Sequence, residues 1–161
     1  MHPFQIIRFA LLAAFFAGAP GWAQTVAPAS SDEASALTFA EKAAVRALDF
    51  QKGDLASLTD VKDDFTPSAW HDFLKQFEGF LDAKGAPQYS SEFEPSRPPV
   101  VVRHENGVVT LTIPGKLTQT HLKSRTTYRL VVTVQVSGNP PKIAHFEQTT
   151  CGGHSTAAAC K

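Results

Sequence analysis

The chain has 161 residues, 43% of them hydrophobic and 19% charged, with 15 Lys plus Arg against 15 Asp plus Glu. That length suits one domain with a proper core, and the apolar fraction is that of a globular chain rather than a disordered one. A neutral chain without a basic run has no electrostatic handle on a phosphate backbone or an anionic bilayer, which excludes nucleic-acid binding and polybasic membrane attachment.

At the N-terminus, His2 and Arg8 form a weakly basic start, and Phe9 to Ala19 is an uninterrupted run of apolar and small residues. At about eleven residues this run fits the apolar part of a secretory leader and is short for a bilayer core of roughly 30 Å. Gly21-Trp22-Ala23 places small residues at the −3 and −1 positions, which predicts cleavage between Ala23 and Gln24. Ala17-Gly18-Ala19 also offers small residues but would put Pro20 just after the cut. The competing reading is an uncleaved anchor. No Cys adjoins the site, so a lipoprotein anchor is excluded. Cleavage predicts a periplasmic or secreted chain with no remaining membrane span.

A polar, small-residue linker is expected over 24–37, followed by an α+β domain over 38–151 and a tail over 152–161. Thr38 with Glu41 has the spacing of a capping box, in which each side chain satisfies a backbone N–H of the other's residue. A helix is expected from there to about Gln51, closed by Gly53. Leu55, Leu58, Val61 and Phe65 fall in a short connection. Thr66-Pro67 then supplies an N-cap and a Pro at the first helical position. Trp70, Phe73, Leu74, Phe77 and Leu81 follow at helical spacing, which predicts one apolar stripe and a helix to about Lys84.

Glu94 to Pro99 reads as a break that introduces the sheet. Val100 to His104 is the first expected strand, Asn106-Gly107 a hairpin turn, and Val108 to Leu122 the return strand, with a bulge or bend at Pro114-Gly115. In Arg125 to Val136, Tyr128, Leu130, Val132, Val134 and Val136 alternate with polar residues, the signature of a half-buried strand. Gly138-Asn139-Pro140-Pro141 turns the chain into a last strand carrying Phe146, over Lys142 to Thr150. Helices first and an antiparallel meander second make an α+β fold, with N-terminal helices packed on a curved antiparallel sheet. The 12 Phe point to an aromatic core.

Cys151 and Cys160 are the only cysteines, and in an oxidising compartment two such residues pair. The rival is a metal site with His154, but two Cys and one His without a fourth ligand make a poor zinc set. His104, His121 and His145 lie in expected strands without metal spacing, and His121 shares the face of Leu117. Asp60, Asp63, Asp64 and Glu41 offer carboxylates, yet Asp63-Asp64 sits where acids favour the start of the next helix. No serine elbow, phosphate loop or zincin motif is present. No catalytic, cofactor or metal residue is therefore assigned.

Phe65-Thr66-Pro67-Ser68-Ala69-Trp70-His71-Asp72-Phe73-Leu74 follows an Ala-rich helix ending in Arg46-Ala47-Leu48-Asp49-Phe50. This arrangement resembles the DotI/IcmL-like proteins of type IVB secretion systems, which carry an FTP-x-x-W-x-x-F segment in the same setting. Pro99-Val100-Val101, Asn106-Gly107 and Thr112-Ile113-Pro114 are the downstream counterparts, so the likeness covers roughly Thr38 to Thr150. It implies a periplasmic domain of nuclear transport factor 2-like fold that assembles within a secretion or conjugation apparatus, without catalysis or cofactor. Two features depart from the pattern: the leader reads as cleavable where the family uses a membrane helix, and the Cys pair lies outside the motif.

The expectation is an exported, non-enzymatic interaction protein. Its partners would be other proteins of an envelope or secretion complex, a second copy of itself included. The alternative is a small-ligand binder or enzyme of the same fold, with a pocket between helices and sheet that contains Asp49, His121 and Tyr128. That alternative fails where aromatic side chains fill the space.

Overall fold

The computed structural model of the protein describes residues 31–152 and 160. The leader, the expected cleavage between Ala23 and Gln24, and His154 lie outside the described residues.

The first helix, α1, spans Ser31–Leu48. It begins well before Thr38, so 31–37 is helix rather than linker. Thr38 does not cap it. Its Oγ1 donates to the Ala34 carbonyl at 3.1 Å, one turn back inside the helix. Asp32 and Glu33 occupy the first turn, where the helix dipole favours acids, and Ala-rich sequence carries the helix onward. Ala36, Ala40, Ala43, Ala44 and Ala47 recur on one face and are 5% exposed or less. These small side chains let α1 lie close against the sheet. The helix stops at Leu48, and Phe50 then pairs with Ser91 through two backbone hydrogen bonds of 3.1 and 2.9 Å.

The connection holds a short helix, α2 (Leu55–Thr59), capped by Asp54, and a 3₁₀ turn at Lys62–Asp64. Helix α3 spans Pro67–Lys75, with Thr66 as N-cap accepting from the Ala69 N–H and Pro67 at its start, as expected. It ends earlier than the apolar stripe suggests. Past Lys75 the chain continues in turns, with Gly79 at φ 87°. The stripe still works as a unit, since Trp70, Phe73 and Phe77 are buried and Leu74 and Leu81 pack against the core.

Five antiparallel strands follow: β1 (Ser90–Pro95), β2 (Val100–Glu105), β3 (Val108–His121), β4 (Ser124–Ser137) and β5 (Lys142–Thr150). The order is β1-β3-β4-β5, and β2 also pairs with β3. β1 runs along Gly115–Thr120 and β2 along Val108–Thr112, so the two share one side of the long strand β3. β1 is a strand that the sequence reading does not include, and it runs two residues into the break expected at Glu94 to Pro99. The Asn106-Gly107 turn has both residues at positive φ, 52° and 73°, as the tight hairpin requires.

The expected bulge at Pro114-Gly115 does not form. Pro114 pairs with Val131 and Gly115 with Leu130 in unbroken register. The Pro114 carbonyl accepts from the Ser96 N–H and Oγ at 2.9 and 3.1 Å, so this residue's missing N–H faces the gap where β1 ends and β2 begins. No ladder bond is lost there. Gly115 is required for a different reason: a Cβ on it would lie 2.4 Å from Phe93 Cε2. The register shifts instead in β2, between Val101 and Arg103, and in the β4–β5 pairing, between Gln135 and Val136.

The core lies between the helices and one face of the sheet. α1 packs on β1, β3 and β4, while α3 packs on β5. Phe73 is fully buried, with its ring 5.0–5.4 Å from those of Phe65, Trp70, Phe77 and Phe146. Each such ring pair adds about 0.5–1.5 kcal/mol beyond the area it buries.

Candidate functional site

Of the three residues expected to share a pocket, His121 and Tyr128 border one cavity and Asp49 borders another. The space between helices and sheet is occupied by Phe50, Phe65, Trp70, Phe73, Phe77, Phe93 and Phe146, all buried. The expected deep pocket is therefore filled, and the three residues proposed for it separate onto opposite faces of the sheet. Strand alternation causes the separation: Gln119 and His121 project to the face of Leu117, and Thr118 and Thr120 to the other.

Asp49 sits at the end of α1, where its Oδ1 accepts the Phe93 N–H at 2.7 Å. It borders an open trough of about 620 Å³ with Ser90 and Glu92 of β1, Thr118 and Thr120 of β3, and Arg125 of β4. Burial raises the Asp49 carboxyl above its usual 3.8, the Phe93 N–H opposes the rise, and nearby Glu92 adds to it. On this outer face the register aligns Glu94, Lys116 and Arg129 in one row and Glu92, Thr118 and Thr127 in the next. Acids thus line β1 while cations line β3 and β4. Thr118 and Thr127 are linked by a 3.1 Å hydroxyl contact.

His121 and Tyr128 lie on the other face, at the tip of the β3–β4 hairpin beyond the helices. There they border a cavity of about 300 Å³ together with Phe80, Tyr89, Gln119 and Thr126. Phe80 and Tyr128 are 54% and 40% exposed, while Tyr89 is 7% exposed. Burial, and secondarily the neighbouring Tyr128, push the Tyr89 phenol up to about 12. Phe80, Tyr89 and Gln119 are members of this cavity that the sequence did not single out. Gln119 was accessible by alternation with His121. Phe80 was hidden because it was placed inside a helix that in fact ends at Lys75.

Cys151 and Cys160 form a disulfide with Cα atoms 5.4 Å apart. The Cys151 N–H donates to the Arg129 carbonyl at 2.7 Å, and the Arg129 guanidinium reaches the Cys160 carbonyl at 3.4 Å. Cys151 and Cys160 are thereby both held at Arg129.

Of the carboxylates considered from sequence, that of Asp64 makes an ion pair, while Asp60 and Asp63 take part through their backbone carbonyls. Asp64 pairs with Arg46 at 2.9 Å, and the same guanidinium donates to the Asp60 carbonyl at 2.9 Å. Lys142 Nζ donates to the Asp63 carbonyl. Glu41 lies within α1. His104 Nδ1 meets Glu33 Oε1 at 2.9 Å, tying β2 to the start of α1, and His145 lies near Glu147. Among the described residues no three His, Cys, Asp or Glu gather as a metal site, and no helix is long and apolar enough to cross a membrane.

No protein-family model matches the chain, and no curated protein matches it in sequence. Solved structures do match. An IcmL-like type IV secretion system protein from Legionella pneumophila superposes with a TM-score of 0.64 at 12% identity, over 80% of this chain and 100% of the other. The periplasmic domain of DotI gives 0.60 at 19% identity, over 75% of this chain and 96% of that one. CagV, a VirB8 homologue of the type IV secretion system of Helicobacter pylori, gives 0.52 at 18% identity, over 73% and 98%. The chain thus has the α+β, nuclear transport factor 2-like fold seen in periplasmic domains of type IV secretion proteins.

Proposed function

We propose that this protein is an exported, non-enzymatic component of a type IV secretion-type assembly, working in the periplasm through its surfaces. The filled interior carries the reading. A fold that elsewhere can enclose a pocket here devotes that volume to Phe and Trp side chains, leaving the sheet faces and strand edges to make contacts. The fold likeness to IcmL-like, DotI and VirB8-type proteins supports the same conclusion. The leader sequence and the Cys151–Cys160 disulfide fit an oxidising compartment outside the cytoplasm.

In this reading the leader is removed after Ala23, leaving a domain that joins its partners by docking rather than by its own membrane helix. Chemical cross-linking in cells that make the tagged chain, followed by mass spectrometry, tests the proposal. The expected result is cross-links to secretion-apparatus proteins or to a second copy of the chain. Recovery of the chain only as a monomer, with no cross-linked envelope protein, overturns it.

A further inference from the structure

The long hairpin of β3 and β4 outruns its neighbour on one side. β4 begins at Ser124, but β5 pairs only with Leu130 to Ser137. The last bond on that side is from the Cys151 N–H to the Arg129 carbonyl, after which the Gly152 N–H turns back to the Thr150 carbonyl. Among the described residues no strand pairs with 124–128 on this side, and Ser124 to Arg129 are all exposed. Backbone groups alternate in direction along an antiparallel strand. Since the Arg129 carbonyl faces β5, Thr127 and Arg125 turn their N–H and C=O groups to the open edge. Such a row is a template for another strand.

The other margins of the sheet are occupied or blunted. On β5, the Ile143 and Phe146 carbonyls accept from the Thr66 N–H and the Gln76 side-chain amide at 2.8 and 2.9 Å. β1 is bordered by Phe50. β2 follows Pro98-Pro99, and its register shifts between Val101 and Arg103, two devices that hinder a further strand. The 124–128 edge has neither: it contains no Pro, and β4 pairs with β3 over it in unbroken register.

Side chains at this edge select what can join it. Arg125, Thr127 and Arg129 share one face, while Thr126 and Tyr128 share the other, where Phe80 is also exposed. Arg125 has no ion-pair partner among the described residues. A second copy pairing through the same edge would bring the arginines of both copies into direct or diagonal contact, which like-charge repulsion disfavours. A strand with acids on the arginine face and apolar residues beside Tyr128 suits both faces. The molecule already makes such a match once: β1 carries Glu92-Phe93-Glu94, with Phe93 buried and Glu94 opposite Lys116 of β3. We infer that the open β4 edge at 124–128 takes an extended segment of a partner protein as an added strand, with acidic and apolar residues alternating along it. The inference rests on the assembly role proposed above and names its docking edge. The test below uses the purified chain and synthetic peptides, so its failure is distinct from a failure of the cross-linking experiment.

The test is a nuclear magnetic resonance titration with two end-capped peptides of about eight residues. One alternates Glu with Val and Phe, and the other has Lys in place of every Glu. The Glu peptide is expected to shift the backbone amide signals of Arg125 and Thr127 in a saturable way, and the Lys peptide to leave them in place. Thr127→Pro removes an edge N–H that the β3 ladder does not use, and is expected to abolish the shifts. Arg125→Glu leaves the backbone intact and is expected to weaken the Glu peptide about five-fold, the scale of one exposed ion pair. It keeps the test decisive should the Pro variant misfold. Absence of saturable shifts with the Glu peptide overturns the inference and leaves the arginines as a device that keeps this edge unpaired. Equal or tighter binding of the Lys peptide, or shifts confined to the β2 edge at 100–105, also overturns it.

Discussion

At Gly115 the sheet and the core approach so closely that even a methyl group has no room. An added Cβ would lie 2.4 and 2.6 Å from the Phe93 ring and 2.7 Å from the Glu94 carbonyl. The obstacle on one side is backbone, so relaxation cannot come from a side-chain rotation alone. Gly115→Ala is expected to lower stability by about 1–3 kcal/mol, the usual cost of overpacking, read as a lower urea midpoint at unchanged slope. Asp49 supplies a prediction of opposite sign. Burial first, and Glu92 with it, hold its carboxyl above 3.8 against the opposing Phe93 N–H. Between the ordinary and the raised value the folded chain binds more protons than the unfolded one, so this residue's contribution falls as pH rises through that window. Asp49→Asn keeps an acceptor for Phe93 and removes the charge. Its stability relative to the parent should therefore improve from acid to neutral pH, and urea midpoints at the two conditions measure this. An equal difference at both contradicts the assignment.

At the scale of elements, the best-read parts of the sequence are those in which several local signals agree. Thr66-Pro67 combines a cap, a rigid first residue and a following apolar stripe, and the helix begins there. Asn106-Gly107 and the alternating β4 are of the same kind. Thr66→Ala should cost about 1 kcal/mol through loss of the acceptor for the Ala69 N–H, while the Thr66 N–H bond to the Ile143 carbonyl at 2.8 Å persists. Thermal unfolding measures the difference, and Thr66→Ser should recover it. Elements that were misread depend on partners far along the chain. β1 reads SSEFEP, with Phe93 as its single large apolar residue, and becomes a strand because β3 and the Phe50 backbone supply its ladder. Pro114-Gly115 looks like a bulge until the gap between β1 and β2 accommodates the Pro and Phe93 fills the space above the Gly. Thr38 and Glu41 match a cap motif, but the Ala-rich residues ahead of them are helical already.

For the whole molecule, fold class and core were legible because Phe and Trp at helical spacing and Val and Leu at strand spacing have one consistent solution. The candidate site was only half legible. His121 and Tyr128 do share a cavity, whereas Asp49 belongs to the other face. Its position depends on how the end of α1 joins the edge of β1, a contact that no local pattern announces. The same long-range packing closes the interior with rings and leaves a trough bordered by Asp49, Glu92 and Arg125 on one face and a cavity bordered by Phe80, Tyr89 and Tyr128 on the other. The central claim is that this is an exported domain that functions in an assembly. Native and denaturing mass spectrometry of the chain released from the periplasm by osmotic shock tests it most directly. The account predicts a denatured mass that begins at Gln24 with the Cys151–Cys160 bond closed, and a native mass greater than one chain. A full-length chain found only in the cytoplasmic or membrane fraction, with the native mass of a single copy, would contradict it.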